Sequence, residues 1–108
     1  MSIFSKIIAR EIPATIVYEQ DNLIVIKDIH PKAKIHLLII PKKEIPTIND
    51  LEELDRNLLA DMFFVAKKLA LDLNIAEWYQ LHFNVWEKWW QEVMHIHLHL
   101  LSDIPNTN

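Results

Sequence analysis

The sequence predicts an α+β fold, with an antiparallel sheet of about five strands, one long helix and one short helix. Short β-prone runs occur towards both ends of the 108-residue chain. Between them lies one stretch whose apolar residues recur at helical spacing. Strands grouped apart from a single long helix are typical of an α+β arrangement, not of alternating βαβ units. The length fits one domain over residues 1–108.

The first part of the chain predicts the short helix and three strands. The helix is expected over Ile3 to Ala9, with Ser2 as its cap. The three strands are expected over Thr15 to Tyr18, Leu23 to Lys27 and Ile35 to Ile40. A polar hairpin turn over 19–22 separates the first two. The third is almost wholly apolar, which indicates a central strand, and Pro41 ends it.

The second part predicts the long helix and two more strands. Asp50 with Glu53 resembles a capping box, so the helix is expected to begin there and to end at Asn74. Its helical spacing is carried by Leu54, Leu58, Met62, Ala66, Leu69 and Leu73. The further strands are expected over Tyr79 to Val85 and Met94 to Leu101, and a loose polar tail over 102–108.

Composition limits the functional classes. The chain has no cysteine, which excludes disulfides and thiolate metal sites and fits a reducing compartment such as the cytoplasm. Its net charge of −4 argues against a nucleic-acid partner. No apolar run approaches the roughly 20 residues of a membrane span, and the first residues do not resemble a signal peptide. The composition therefore predicts a soluble cytoplasmic protein with no nucleic-acid or membrane partner.

Three alternating histidines indicate a site. His95, His97 and His99 would share one face of a strand, with Ile96 and Leu98 on the other. Three imidazoles together could bind zinc with water as the fourth ligand. Alternatively, one imidazole could attack phosphorus while the others orient it and hold phosphate oxygens. The residues alone leave both hypotheses open.

The chain resembles the histidine triad (HIT) family, and within it the HINT branch of purine nucleoside phosphoramidase type. Residues 95–101, His-Ile-His-Leu-His-Leu-Leu, match the triad signature, and Gln91 with Val93 matches the usual preceding residues. The likeness extends over nearly the whole chain, through segments 3–8, 11–14, 28–31 and 36–43. It favours nucleotidyl chemistry over zinc.

The resemblance implies a HIT-like fold and a covalent mechanism. His97 would attack the α-phosphorus of a nucleoside 5′-phosphoramidate or a related nucleotide conjugate, and water would then release the nucleoside monophosphate. His99 and Asn84 would hold phosphate oxygens. His95 and His36 would set the tautomer and position of the reacting ring. No metal or other cofactor is implied.

The resemblance also implies a purine nucleotide pocket and a homodimer. Asp28 would bind the ribose hydroxyls, Gln91 would lie against the phosphate, and Glu92 would be near the leaving group. The base pocket would be formed by apolar residues: Phe4, Ile7, Ile12, Ile26, Ile29 and Leu38. Two further functions stay open, a dinucleoside polyphosphate hydrolase of a sister branch and a nucleotide-binding scaffold with little turnover. His30 and His82 receive no role.

The chain departs from the family at its glycines. It contains none, and its four tryptophans, at positions 78, 86, 89 and 90, stand where the family places glycine. Glycine permits positive φ and close backbone approach to phosphate. We therefore expect the loop over 86–90 either to obstruct the pocket or to turn its indoles outward. Three origins are open: engineering to remove glycine, an evolved loop, or a glycine codon read as tryptophan.

Overall fold

The computed structural model describes residues 1–103, and within them it confirms the predicted α+β fold. The two α-helices are α1 (Ile3–Ile8) and α2 (Arg56–Asp72). The five strands are β1 (Ile16–Gln20), β2 (Leu23–Lys27), β3 (Ile35–Pro41), β4 (Gln80–His82) and β5 (Leu98–Ser102). They form one sheet in the order β1-β2-β3-β5-β4, and each neighbouring pair is antiparallel. The apolar strand β3 is therefore central, as predicted.

The sheet separates two cores. Side chains of α2 pack on one face, where Ile96, Leu98 and Leu100 join the larger buried cluster. Helix α1 covers the opposite face with a smaller cluster that includes Phe4. Since alternate residues of a strand point to opposite faces, His99 lies on the α1 side, and His97, just before β5, contacts Phe4 of α1. The alternation predicted around the histidines thus positions the site between α1 and the sheet.

The start of the long helix differs from the prediction. Thr47 and Asp50 bond reciprocally around a short 3₁₀ turn, Ile48–Asp50, and Glu52 and Asp55 do so around a second, Glu53–Asp55. Asp50, expected to cap the helix, caps the first of these turns instead, and α2 begins only at Arg56. Leu54 consequently lies outside α2 and is 75% exposed. The end is close to the prediction, because Asn74 follows α2 with φ of 59°.

The last two strands are shorter than predicted. Strand β4 contains three residues, and β5 begins at Leu98, so His95 and His97 precede it. The Ile96 N–H donates to the Ile45 carbonyl at 2.8 Å instead of to the sheet ladder, which keeps this segment out of β5. Ser102, expected in the tail, is the last residue of β5 and is buried. The rest of the predicted tail, 104–108, lies outside the described residues. Over residues 1–103, neither helix has the length and hydropathy that a membrane crossing requires.

Candidate active site

Most of the predicted site residues converge on one cavity between α1 and the sheet. Its volume is about 480 Å³, within the range of small-molecule sites. Three of the four histidines expected to be catalytic line it, namely His36, His97 and His99. His95 does not line the cavity and lies behind it. The sheet register explains part of this arrangement, since Leu38 of β3 pairs with His99 of β5.

The bonds of the His97 ring determine which nitrogen is free to react. Nδ1 lies 2.8 Å from the carbonyl oxygen of His95. A carbonyl can only accept, so Nδ1 carries the proton and donates it. Nε2 of this cavity-lining ring then holds the available lone pair. The edge of the ring also contacts Phe4, at 5.0 Å between centroids, which fixes its plane. The arrangement therefore presents a neutral imidazole with a nucleophilic Nε2.

Both nitrogens of His95 are used inside the fold. Nε2 lies 2.7 Å from the Pro41 carbonyl and so donates to it. Nδ1 must then accept, and the Ser2 hydroxyl is its donor at 2.6 Å. With its ring fully bonded and 0% exposed, His95 anchors the segment whose carbonyl orients His97. This geometry supports the expected positioning role.

A second chain of bonds orients His99. The backbone N–H of Lys32 donates to Nδ1 of His36 at 3.2 Å. The proton of neutral His36 is therefore on Nε2, which lies 2.9 Å from Nδ1 of His99. Because that Nδ1 accepts, His99 carries its own proton on Nε2. His99 can thus offer an N–H donor to an anionic oxygen in the cavity.

Burial keeps these rings neutral. It is the main cause that lowers the pKa values of His36, His95 and His97 below the usual range. The pKa of His99 is lowered to about 3, first by burial and then by the electrostatic effect of the neighbouring histidines His97, His82 and His36. Neutral rings suit both a nucleophile and a single-tautomer hydrogen-bond donor.

Asp28 lies at the rim of the cavity beside the bonds that run from the Lys32 N–H through His36 to His99, which we call the histidine relay. Its Oδ1 accepts the His30 N–H at 2.8 Å, and its Oδ2 is 3.4 Å from Nε2 of His36. One carboxylate oxygen thus retains accepting capacity towards the cavity. This position allows the expected contact with a pair of hydroxyls and also places negative charge near the relay.

The residues expected to form the base pocket make an apolar wall of the cavity. All six predicted residues line the cavity: Phe4, Ile7, Ile12, Ile26, Ile29 and Leu38. Most of them are buried or half-buried, but Ile29 is 82% exposed and lies at the cavity mouth. The wall offers a flat apolar ligand one face to pack against.

Asn84 and Glu92 line the cavity as predicted, but Gln91 does not. The Gln91 amide nitrogen donates to the carbonyls of Pro46 at 2.6 Å and Val93 at 2.9 Å. Its oxygen accepts the Trp86 N–H at 2.8 Å. The side chain is 3% exposed and occupied by these bonds. The expectation that Gln91 lies against the phosphate is therefore not supported, and its bonds tie the loop to the core.

The tryptophan loop leaves the cavity open. Trp86, Trp89 and Trp90 are each at least half exposed, and of these Trp90 alone lines the cavity. The alternative that the indoles turn outward is thus the observed one, and the obstruction we considered is not present. Trp86 has φ 76° and ψ 150°, a region occupied almost only by glycine, and Trp90 is left-handed at φ 69°. Glycine at these two positions in the natural protein would explain the backbone, and the coding DNA with an intact mass decides between the origins.

His95, His97 and His99 do not form a metal site together, because both ring nitrogens of His95 are hydrogen-bonded to Ser2 and Pro41. Within residues 1–103, a different group has donor atoms within 4.8 Å of one another: Asp28, His36 and His99. An ion there would have to displace the bond between His36 and His99. The relay described above accounts for these residues without such a displacement.

Three contributors to the site were not assigned to it from sequence. Ser2 was identified as a helix cap, and it is one, but its hydroxyl also bonds His95. Lys32 acts through its backbone N–H, which no side-chain pattern reveals. His82 lines the cavity from β4. Only its position opposite His99 in the register could have identified it.

Comparison with known proteins adds independent evidence. The family model described as "Scavenger mRNA decapping enzyme C-term binding" matches residues 1–107. The chain is 48% identical over 105 residues to the purine nucleoside phosphoramidase of Escherichia coli K12, covering 96% of this chain and 88% of that protein. It is 44% identical over 104 residues to an uncharacterized HIT-like protein of Synechocystis, covering 96% and 91%. The crystal structure of a HIT family hydrolase from Legionella pneumophila superposes with a TM-score of 0.93 at 50% identity, covering 99% of this chain and 96% of that one.

Proposed function

The chain belongs to the histidine triad family, and on that premise we propose that it hydrolyses nucleoside 5′-phosphoramidates through a covalent nucleotidyl-histidine on His97. The observation that carries the proposal is the free Nε2 of His97, whose ring lines a cavity together with histidine and asparagine donors and an apolar wall. The 48% identity to a purine nucleoside phosphoramidase supports the substrate class.

The first step uses the tautomer of His97. Its Nε2 lone pair attacks the α-phosphorus and forms the N–P bond. The P–N bond of the substrate breaks, its electron pair goes to the nitrogen, and that nitrogen takes a proton from solvent and leaves as the amine. Positive charge then develops on the ring, and the donation from Nδ1–H to the His95 carbonyl becomes charge-assisted and stronger. In the second step water attacks phosphorus and gives one proton to solvent, the bond to Nε2 breaks with its electron pair returning to the ring, and the nucleoside monophosphate is released. The neutral ring is restored for the next cycle.

The other groups bind and orient the substrate. His99 Nε2–H and the Asn84 amide are donors for the phosphate oxygens, whose negative charge increases during attack. Asp28 accepts from the ribose hydroxyls. The apolar wall takes the base, and Glu92 at the cavity rim is placed to meet the leaving amine. Binding groups thus surround a single nucleophile.

The direct test is turnover of adenosine 5′-phosphoramidate by the full chain, compared with a dinucleoside polyphosphate. We expect release of nucleoside monophosphate and a higher kcat/KM for the phosphoramidate. His97→Ala should reduce kcat by at least about a thousandfold, since loss of a nucleophile removes the covalent route. It should leave binding of the monophosphate within about threefold. A preference for the polyphosphate would move the chain to the sister reaction, and binding without turnover would make it a scaffold.

We also propose that the chain works as a homodimer. Helix α2 exposes Phe64 and Leu71, at 67% and 66%, and β4 is an edge strand in the described sheet. Exposed apolar side chains beside an open strand edge favour self-association. Light scattering after size exclusion should give twice the chain mass of 12.8 kDa. A mass that stays at one chain up to millimolar concentration contradicts the dimer.

A cytoplasmic location is likewise proposed, and its support is the proposed substrate, because nucleotide conjugates are metabolised inside cells. Cell fractionation with an antibody to the chain tests it. Recovery in the membrane pellet or outside the cell contradicts it.

A further inference from the structure

His82 of β4 contacts the site but has no place in the mechanism above. It pairs with His99 of β5 across the antiparallel ladder. The two imidazoles are stacked, with 4.6 Å between centroids and 6° between planes. On another side His99 bonds to His36 at 2.9 Å. The His99 ring is therefore constrained from two neighbouring strands.

The His82 ring also carries an unpartnered polar atom. Its Nδ1 is buried and has no hydrogen-bond partner among residues 1–103. A buried polar atom without a partner costs free energy of folding, so an apolar residue would suit this position better if packing alone mattered. A histidine retained at a cost to stability points to a role in the cavity that the ring lines.

We propose that His82 is a positioning residue for His99: its stacked ring fixes the His99 plane so that Nε2–H is directed at the phosphate site. The inference rests on the proposed function, because it assigns His99 the phosphate contact. Stacking holds the ring plane, while the His36 bond holds the rotation that sends Nε2 towards the cavity. Neither contact alone restrains both the plane and the rotation of the His99 ring.

Titratable and charged groups from several elements surround the His99 ring. His97 lies two positions away on the same segment, His36 faces it from β3, and His82 from β4. Lys32 and Asp28 contribute opposite charges from the segment between β2 and β3. Burial first, and then His97 and His82, lower the pKa of His99.

The experiment compares His82→Leu with His82→Phe, and Gln80→Leu is the control on the same strand. The leucine removes the flat ring, and the phenylalanine keeps it without the nitrogens. We expect His82→Leu to lower kcat for adenosine 5′-phosphoramidate about tenfold with KM changed less than twofold, while its melting temperature stays the same or rises. His82→Phe should retain at least about half of the parent kcat. Gln80 is exposed and does not line the cavity, so Gln80→Leu should leave kcat unchanged.

A second readout does not need turnover. In histidine-detected NMR, His99 of the parent should remain a single Nε2–H tautomer, and His82→Leu should show tautomer exchange or a His99 titration moved to higher pH. A kcat within twofold of the parent together with an unchanged His99 signal overturns the proposal. Lower activity that falls in parallel with the melting temperature also overturns it, since that is the result for a purely structural residue. An inactive parent with a His99 signal that still responds to His82→Leu would refute the proposed function and leave the positioning role standing.

Discussion

At the residue scale, backbone groups decide the chemistry of the histidines. The carbonyl of His95 assigns the proton of His97 to Nδ1, and the N–H of Lys32 assigns the proton of His36 to Nε2. From these two assignments follow a nucleophilic Nε2 on His97 and a donor Nε2–H on His99. Two histidines thus take opposite roles, nucleophile and hydrogen-bond donor, because a backbone carbonyl can only accept a hydrogen bond and a backbone N–H can only donate one.

The role of Asp28 can be separated from that of the relay. Asp28→Ala should raise KM about tenfold for an adenosine phosphoramidate and change kcat little, because ribose contacts are similar in ground and transition states. The control is the same pair of enzymes with a 2′,3′-dideoxy substrate, for which the substitution should have almost no effect on KM. A fall in kcat with both substrates would show instead that Asp28 acts through His36, 3.4 Å away.

At the scale of elements, the sequence predicted what depends on periodicity and missed what depends on competing bonds. Strand β2 has the predicted bounds, and α1 ends one residue earlier than expected. The start of α2 was wrong because Thr47 and Glu52 cap two short turns ahead of it. Gln91 does not line the cavity because its amide bonds three backbone groups, at Trp86, Pro46 and Val93. Such pairings depend on which backbone groups the fold brings close, and a linear pattern does not contain them.

The tryptophan loop provides a stability test. Trp86→Gly and Trp90→Gly should each raise the free energy of unfolding by about 1 kcal/mol, because a side chain at positive φ costs roughly 1–2 kcal/mol. Trp89→Gly is the matched control: it lies in the same exposed loop, in a 3₁₀ turn and without positive φ, so it should lower stability or leave it unchanged. Chemical denaturation of the three variants measures the difference. Equal effects at all three positions would contradict a conformational origin.

At the scale of the whole molecule, the sheet brings the site together from distant parts of the chain. The central strand β3 carries His36, β5 carries His99, and α1 closes the cavity with Phe4. The site therefore exists only in the folded state, and its neutral histidines link folding to pH.

Stability should fall as the pH decreases through the range of ordinary histidines. The folded pKa values of His36, His95, His97 and His99 are all lowered, so the unfolded chain binds protons that the folded chain refuses. The contribution of these histidines to the free energy of unfolding is complete above about pH 6.5. It is lost as the pH falls below that value, by up to about 1.4 kcal/mol per pH unit for each histidine. Denaturation at pH 7 and pH 5 measures how much the free energy of unfolding falls between these pH values. His99→Asn should reduce this fall by about the contribution of one histidine. An unchanged free energy of unfolding between these pH values would contradict buried neutral rings.

The most direct test of the account is to trap the covalent intermediate. The full chain is mixed with adenosine 5′-phosphoramidate, quenched in alkali, where a phosphorus–nitrogen bond to histidine survives, and digested for mass spectrometry. The account predicts one adenylyl group on the peptide that contains residues 95–99, located on His97, formed faster than steady-state turnover and absent in His97→Ala. Turnover at the parent rate with no adduct, or an adduct on a residue other than His97, would contradict it.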